Sequence, residues 1–74
     1  MLHDRLHQQR RNIGLTQLQL ARELNISPSA VGMYEQGRRT PDLETLIALS
    51  KLFHVSLDYL ITGEESPYNK SRQP

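Results

Sequence analysis

The sequence contains no cysteine, and its 74 residues include only one phenylalanine. Without cysteine there is neither a disulfide nor a thiolate metal site to support the fold, and nothing indicates an oxidising compartment. No apolar run approaches the ~20 residues that a membrane-spanning helix needs, and the polar start does not read as a signal peptide. We therefore expect one small cytoplasmic domain with a core of limited size.

A strong excess of charge of either sign is also missing, since the formal net charge is +1. The distribution of charge is more informative than its sum. Residues 1–41 carry six basic and three acidic side chains, whereas residues 42–74 carry three basic and five acidic ones. A basic first half can form an electrostatic surface for phosphate. Scattered solvated charge would be the better explanation of the pattern if this half contained no motif.

The basic half does contain a motif. Residues 16–37 read TQLQLARELNISPSAVGMYEQG and predict two short helices joined by a tight turn. Thr16 and Gln19 have the spacing of a capping box at the start of the first helix. Asn25 can end that helix in the left-handed conformation, and Ser27 caps the second helix just before a proline suited to its first position. Two helices joined so tightly must cross at a large angle.

The motif resembles a known family. The pattern L-T-Q-x-x-L-A-x-x-L-x-I-S-x-S-x-V-x-x-Y-E-x-G-x-R-x-P is similar to the helix-turn-helix of the phage repressor and Cro-type (XRE-type) DNA-binding family. The resemblance covers about residues 2–63, and the alternative is an ordinary helical hairpin in a small bundle. It implies an all-α, compact five-helix bundle from a bacterium or phage, with a DNA-binding domain over 1–63 and a flexible polar tail over 64–74. The helices are predicted at about 2–13, 17–24, 28–36, 42–53 and 57–61.

In a helix-turn-helix the second helix lies in the major groove of DNA, and its N-terminal residues meet base edges. By resemblance the base contacts fall to Pro28, Ser29, Gly32 and Met33. This set departs from the Gln, Arg and Asn side chains that often read bases by bidentate hydrogen bonds. We therefore expect few direct hydrogen bonds to base edges, and we expect DNA shape to supply part of the specificity. Gly32 costs about 1 kcal/mol of helix propensity against alanine, which is consistent with close approach of the backbone to DNA.

Other polar residues of this half are suited to the DNA backbone or to holding the helices together. A helix N-terminus favours an anion, and the basic segment after the third helix can grip the strand beyond the groove. The resemblance also implies an ion pair between Arg10 and Glu35, joining the first helix to the third. The expected phosphate contacts are Arg10, Gln17, Ser27, Gln36, Arg38 and Arg39.

These features favour a sequence-specific transcriptional regulator that binds double-stranded DNA, most simply a repressor. One recognition helix covers few base pairs, so we expect a homodimer on a pseudo-palindromic operator. From the anatomy of the domain, we expect the two subunits to contact each other through Leu57, Tyr59, Ile61 and the tail. The alternative is an antitoxin whose tail or Leu18 face binds a toxin protein, because Leu18 is apolar where the family commonly has a charged residue.

Two histidine features suggest other chemistry but are weak. His3 and His7 lie one helical turn apart with Asp4 beside them, which is metal-ligand spacing, yet no third ligand is evident. His54 has no nucleophile or carboxylate partner and suits the C-terminal end of a helix. We expect no metal, no cofactor and no enzymatic activity.

Overall fold

Five α-helices occupy most of residues 1–65, the part of the chain that the computed structural model describes. No strand occurs within this part. Four boundaries differ from the sequence prediction by one residue. Ile13, Gln36 and Asp42 are cap residues and lie outside the helices, and the last helix extends one residue further, to Thr62. The helices are α1 (Leu2–Asn12), α2 (Gln17–Leu24), α3 (Pro28–Glu35), α4 (Leu43–Phe53) and α5 (Leu57–Thr62).

Side-chain caps begin four of these helices. The capping box of α2 is complete, since Thr16 Oγ1 accepts from the Gln19 amide at 3.1 Å and Gln19 Oε1 accepts from the Thr16 amide at 2.8 Å. Ser27 and Ser56 cap α3 and α5 without a reciprocal bond, each accepting from the amide three residues ahead, at 3.1 Å and 2.9 Å. Asp42 caps α4, and hydrogen bonds from Thr45 hold the pKa of the Asp42 carboxyl below its ordinary value. Each cap satisfies a backbone N–H that has no partner within its helix.

Two helices end in the left-handed backbone conformation at residues that are not glycine. Asn25 has φ 56° after α2 and His54 has φ 58° after α4. At His54 the backbone amide bonds to carbonyls of the last turn of α4. The position of His54 is therefore that of a helix terminus, as the sequence predicts.

The core lies where the five helices meet, and α2 and α3 have the most extensive contact of any helix pair. Ala21 is 1% exposed, and its small side chain lets α2 approach its neighbours closely. Of α3, only the inner face enters the core. The buried apolar side chains are Leu6, Leu20, Ala21, Ala30, Val31, Tyr34, Leu46, Leu49, Phe53 and Leu60.

Arg5 connects the first helix to the last, a role that the sequence analysis missed. Its Nε donates to the Leu60 carbonyl at 2.9 Å, and its Nη2 donates to the Ile61 carbonyl at 2.7 Å. These carbonyls belong to the end of α5, where intrahelical partners run out and a cation is favoured. Gly63 follows with φ 82°, and a Cβ there would lie 2.8 Å from Arg5 Nη1. Glycine at this position leaves room for the guanidinium.

The first two residues assigned to the polar tail contact α5 or its N-terminal cap. Ser56 Oγ donates to Glu65 Oε1 at 2.6 Å, and the Glu64 amide donates to Thr62 Oγ1 at 3.1 Å. The rest of the predicted tail, residues 66–74, lies outside the described part. The helices between residues 1 and 65 are all too short or too polar to cross a membrane.

Candidate nucleic-acid interface

The helix α3 has one face in the core and one face toward solvent. Ala30, Val31 and Tyr34 are buried, as the sequence predicts. On the other face Pro28, Ser29 and Gln36 are exposed, while Gly32 and Met33 are partly exposed. All four residues expected to contact bases thus share the accessible face.

A buried ion pair joins α1 to the end of α3. Arg10 Nε donates to Glu35 Oε2 at 2.7 Å, and Arg10 Nη2 donates to Glu35 Oε1 at 3.1 Å. The two side chains are 11% and 4% exposed. Arg10 Nη1 donates to the Leu15 carbonyl at 2.8 Å. All three nitrogens of the guanidinium are therefore engaged within the protein, and the expected phosphate contact of Arg10 stays a prediction that would have to compete with these bonds.

Glu35 also binds two residues that the sequence analysis did not connect to it. His7 Nδ1 lies 2.8 Å from Glu35 Oε1, and Gln17 Nε2 donates to the same oxygen at 3.3 Å. Burial by itself would raise the pKa of Glu35, but the hydrogen bonds from Arg10, His7 and Gln17 outweigh it and hold this pKa below its ordinary value. One carboxylate thus ties together α1, α2 and α3.

A sequence signal for His7 exists, because it precedes Arg10 by three residues and so lies on the same face of α1. Its ring is turned toward Glu35. The neighbouring His3 lies instead beside Gly37, where a Cβ would be 3.1 Å from His3 Nδ1. Within residues 1–65 no group of three or more side chains is arranged to hold a metal ion.

The remaining residues expected at phosphates lie at helix ends and in the loop after α3. Gln17 is the first residue of α2, and Ser27 is the cap of α3. Gln36, Arg38 and Arg39 are exposed. The Arg39 guanidinium carbon lies 5.8 Å from the centre of the Tyr34 ring, within the range of a cation–π contact. This contact gives Arg39 a preferred position on the loop.

Two capped helices joined by a short turn, with the second presenting an accessible outer face, define a helix-turn-helix domain. The family model described as Helix-turn-helix matches residues 6–60, and the chain belongs to this family. The resemblance seen in the sequence, including its five-helix, all-α fold, is therefore confirmed.

Relatives of known name lie within the same family. The chain is 41% identical over 63 residues to the transcriptional activator BcrR of Enterococcus faecalis, covering 85% of this chain and 31% of that protein. It is 42% identical over 64 residues to the transcriptional regulator ImmR of Bacillus subtilis, covering 86% of this chain and 50% of that protein. This chain therefore corresponds to only a third to a half of these relatives.

A solved structure with the same fold is that of the P22 c2 repressor in complex with synthetic operator 9T. It superposes with a TM-score of 0.82 at 30% identity, over 86% of this chain and 97% of that chain. The agreement extends over nearly all of the repressor chain in that structure.

Proposed function

We propose that this protein is a transcriptional regulator that binds double-stranded DNA sequence-specifically and places α3 in the major groove. The observation that carries the proposal is the two-sided construction of α3. Its inner face is buried, and the side chain of Glu35 at its end is held by α1 and α2. Its outer face presents Pro28, Ser29, Gly32 and Met33 to a partner.

The base-reading set works through shape and small contacts. The Ser29 hydroxyl can hydrogen-bond to several base edges, and the Pro28 and Met33 side chains can contact a thymine methyl. None of these is bidentate, so sequence-dependent DNA shape supplies the remaining discrimination. The support from comparison is the P22 c2 repressor, which shares the fold and was solved with an operator.

Phosphate groups on either side of the groove are held by Gln17, Ser27, Gln36, Arg38 and Arg39. Gln17 and Ser27 stand at helix N-termini, where unpaired backbone N–H groups and the helix dipole favour an anion. Arg38 and Arg39 supply full charges in an exposed loop. These contacts fix the orientation of the domain on DNA and carry no sequence information themselves.

The regulator acts in the cytoplasm as a homodimer on a pseudo-palindromic operator, because one helix-turn-helix covers too few base pairs for useful specificity. Its DNA-binding domain comprises residues 1–63. We expect the dimer contact on α5, and the 41% exposure of Ile61 supports this expectation. Repression follows when the bound dimer blocks the promoter. The relative BcrR is named an activator, so a reporter carrying the operator decides the direction of regulation.

An antitoxin role depended on Leu18, which is 48% exposed on α2. The relatives found are named as transcriptional regulators and repressors, and they give no support to that alternative.

The test is selection of bound duplexes from a random pool, followed by titration of the selected sequence at several salt concentrations. We expect enrichment of a two-fold symmetric motif and binding that weakens steeply with salt. Each phosphate contact contributes a slope of roughly 0.9 in the plot of log affinity against log salt concentration. No enriched motif, or an affinity that stays flat from low to physiological salt, would refute the proposed function.

A further inference from the structure

The helix α3 contains a glycine, Gly32, that the fold does not require. Gly32 is the one glycine within a helix between residues 1 and 65. Glycine is the least favourable helix residue apart from proline, because its backbone loses the most freedom on folding. A glycine in the middle of an eight-residue helix therefore needs a local reason.

The other relevant glycines have such reasons and Gly32 does not. Gly37 and Gly63 have φ +74° and +82°, and a Cβ at either would lie 3.1 Å or less from a neighbouring side chain. Gly32 does not belong to the glycines of positive φ. A Cβ at Gly32 would meet only Gln17 Oε1, at 3.9 Å, which is an ordinary contact distance. The fold of the protein alone would accept alanine here.

The side chain of Gln17 borders the space over Gly32. A carboxylate only accepts hydrogen bonds, so the Gln17 amide turns its nitrogen toward Glu35 at 3.3 Å. Its oxygen then lies on the Gly32 side. Arg10 and His7 hold the same carboxylate, so the amide is attached to a restrained group. The result is a gap on the outer face of α3, beside a positioned hydrogen-bond acceptor.

We infer that Gly32 is a specificity-determining position, and that its gap admits the edge of a base in the major groove close to the α3 backbone. Ser29 precedes Gly32 by three residues and Met33 by four, so Ser29 is a neighbour of both on the accessible face of α3. The side chains of Ser29 and Met33 would border the gap while the backbone of Gly32 forms its floor. This inference rests on the proposed function. It adds a contact between a base and the α3 backbone, which is possible because Gly32 has no side chain.

The test variant is Gly32→Ala, measured for thermal unfolding and for binding to the selected operator. Alanine fits the protein and favours the helix, so we expect the unfolding midpoint to rise by about 4–8 °C. The new methyl group occupies the gap, so we expect operator affinity to fall roughly tenfold or more. The loss should be concentrated at one or two base pairs in a panel of single-base operator variants.

The matched control is His54→Gly, which stabilises the protein at another site. His54 is left-handed, with φ 58° at the end of α4, and glycine adopts this conformation without steric cost. We expect a comparable rise in the unfolding midpoint and an operator affinity equal to that of the wild type. Comparison of the two variants therefore distinguishes an effect of higher stability on DNA binding from an effect of filling the gap at Gly32.

Three results would overturn the inference. One is a stabilised Gly32→Ala protein with wild-type affinity and base preferences. Another is an equal loss of affinity for all duplexes, which would mean that Gly32 does not affect reading. The third is a destabilised variant, which would show that the fold itself requires glycine. Failure of the proposed function is distinguishable from all of these, since the wild type would then select no DNA.

Discussion

The two faces of α3 are built on opposite principles. On the inner side the Glu35 carboxylate binds Arg10, His7 and Gln17, and the apolar side chains are buried. On the outer side Ser29, Gly32 and Met33 are small or flexible and carry no charge. A recognition helix must be held rigidly by the protein and yet remain adaptable toward DNA. Here the buried side chains and Glu35 supply the rigid contacts, and Ser29, Gly32 and Met33 supply the adaptable surface. Gln17 borders both, because it binds Glu35 and lies beside Gly32.

The largest expected effect comes from the inner side. Arg10→Met removes the main partner of a carboxylate that is 4% exposed. Because the buried charge is then left with weaker partners, we expect the free energy of unfolding to fall by ~3–5 kcal/mol, measured by urea denaturation.

A double variant tests whether this loss belongs to the pair. Arg10→Met with Glu35→Leu should cost less than the sum of the two single changes, because no charge is left stranded. Strict additivity of the three measurements would mean that the two residues do not interact.

The next effect belongs to the outer side and should leave stability nearly unchanged. We expect Ser29→Ala and Met33→Ala each to alter which base pairs are preferred, by ~1–3 kcal/mol at the affected position. The measurement is titration of a panel of single-base operator variants at fixed salt. Arg38→Ala is the control, since loss of a phosphate contact should weaken all duplexes alike and reduce the salt slope by about one.

The assignment of base contacts to Met33 and a phosphate contact to Arg38 would be contradicted if Met33→Ala and Arg38→Ala gave the same uniform decrease in affinity across the panel. The outer face of α3 would then not be the reading element. Equal losses of folding stability in Met33→Ala and Arg10→Met would instead show that the two faces are not functionally separate.

The smallest effect is the pH dependence of the inner network. The pKa of Glu35 is lower in the folded protein than its ordinary value of 4.5. The ionised carboxylate therefore adds stability above that ordinary value, and this contribution disappears as pH falls through the folded-state pKa. We expect the difference in unfolding free energy between wild type and Glu35→Gln to be greatest above pH 4.5 and to shrink in acid.

Asp42 also has a lowered pKa and so contributes to the pH dependence of stability. Because Asp42 is present in both proteins, its contribution cancels in the difference between the wild type and Glu35→Gln. A difference that stays constant down to the most acidic pH at which both proteins fold would contradict the assignment. It would mean that the contacts of Glu35 do not depend on its charge.

Much of the local structure followed from residue spacing. The capping box of Thr16 and Gln19, the Ser27 cap and the left-handed Asn25 were all predictable, and all are present. The accessible face of α3 followed too, because burial of Ala30, Val31 and Tyr34 leaves only one side exposed. The base contacts themselves remain predictions, since DNA is needed to observe them.

Contacts between distant parts of the chain were harder to predict. The ion pair of Arg10 and Glu35 was expected only through family resemblance. The further hydrogen bonds of Glu35 with His7 and Gln17, and those of Arg5 with the end of α5, were not expected at all. A long polar side chain at the surface of an isolated helix has several possible partners, so its type and helical phase do not select one.

The physical reason is the separation in sequence between the two residues that form each contact. A cap bonds to a backbone group three residues away, so the covalent geometry of one turn determines whether it can form. Arg5 and Leu60 are separated by 55 positions, and His7 and Glu35 by 28. Those contacts exist only after α1 has packed against α3 and α5 at a particular distance and rotation. The amino-acid sequence therefore dictated, to within one residue, where each helix begins and ends, and the packing of the helices decided which charged groups meet.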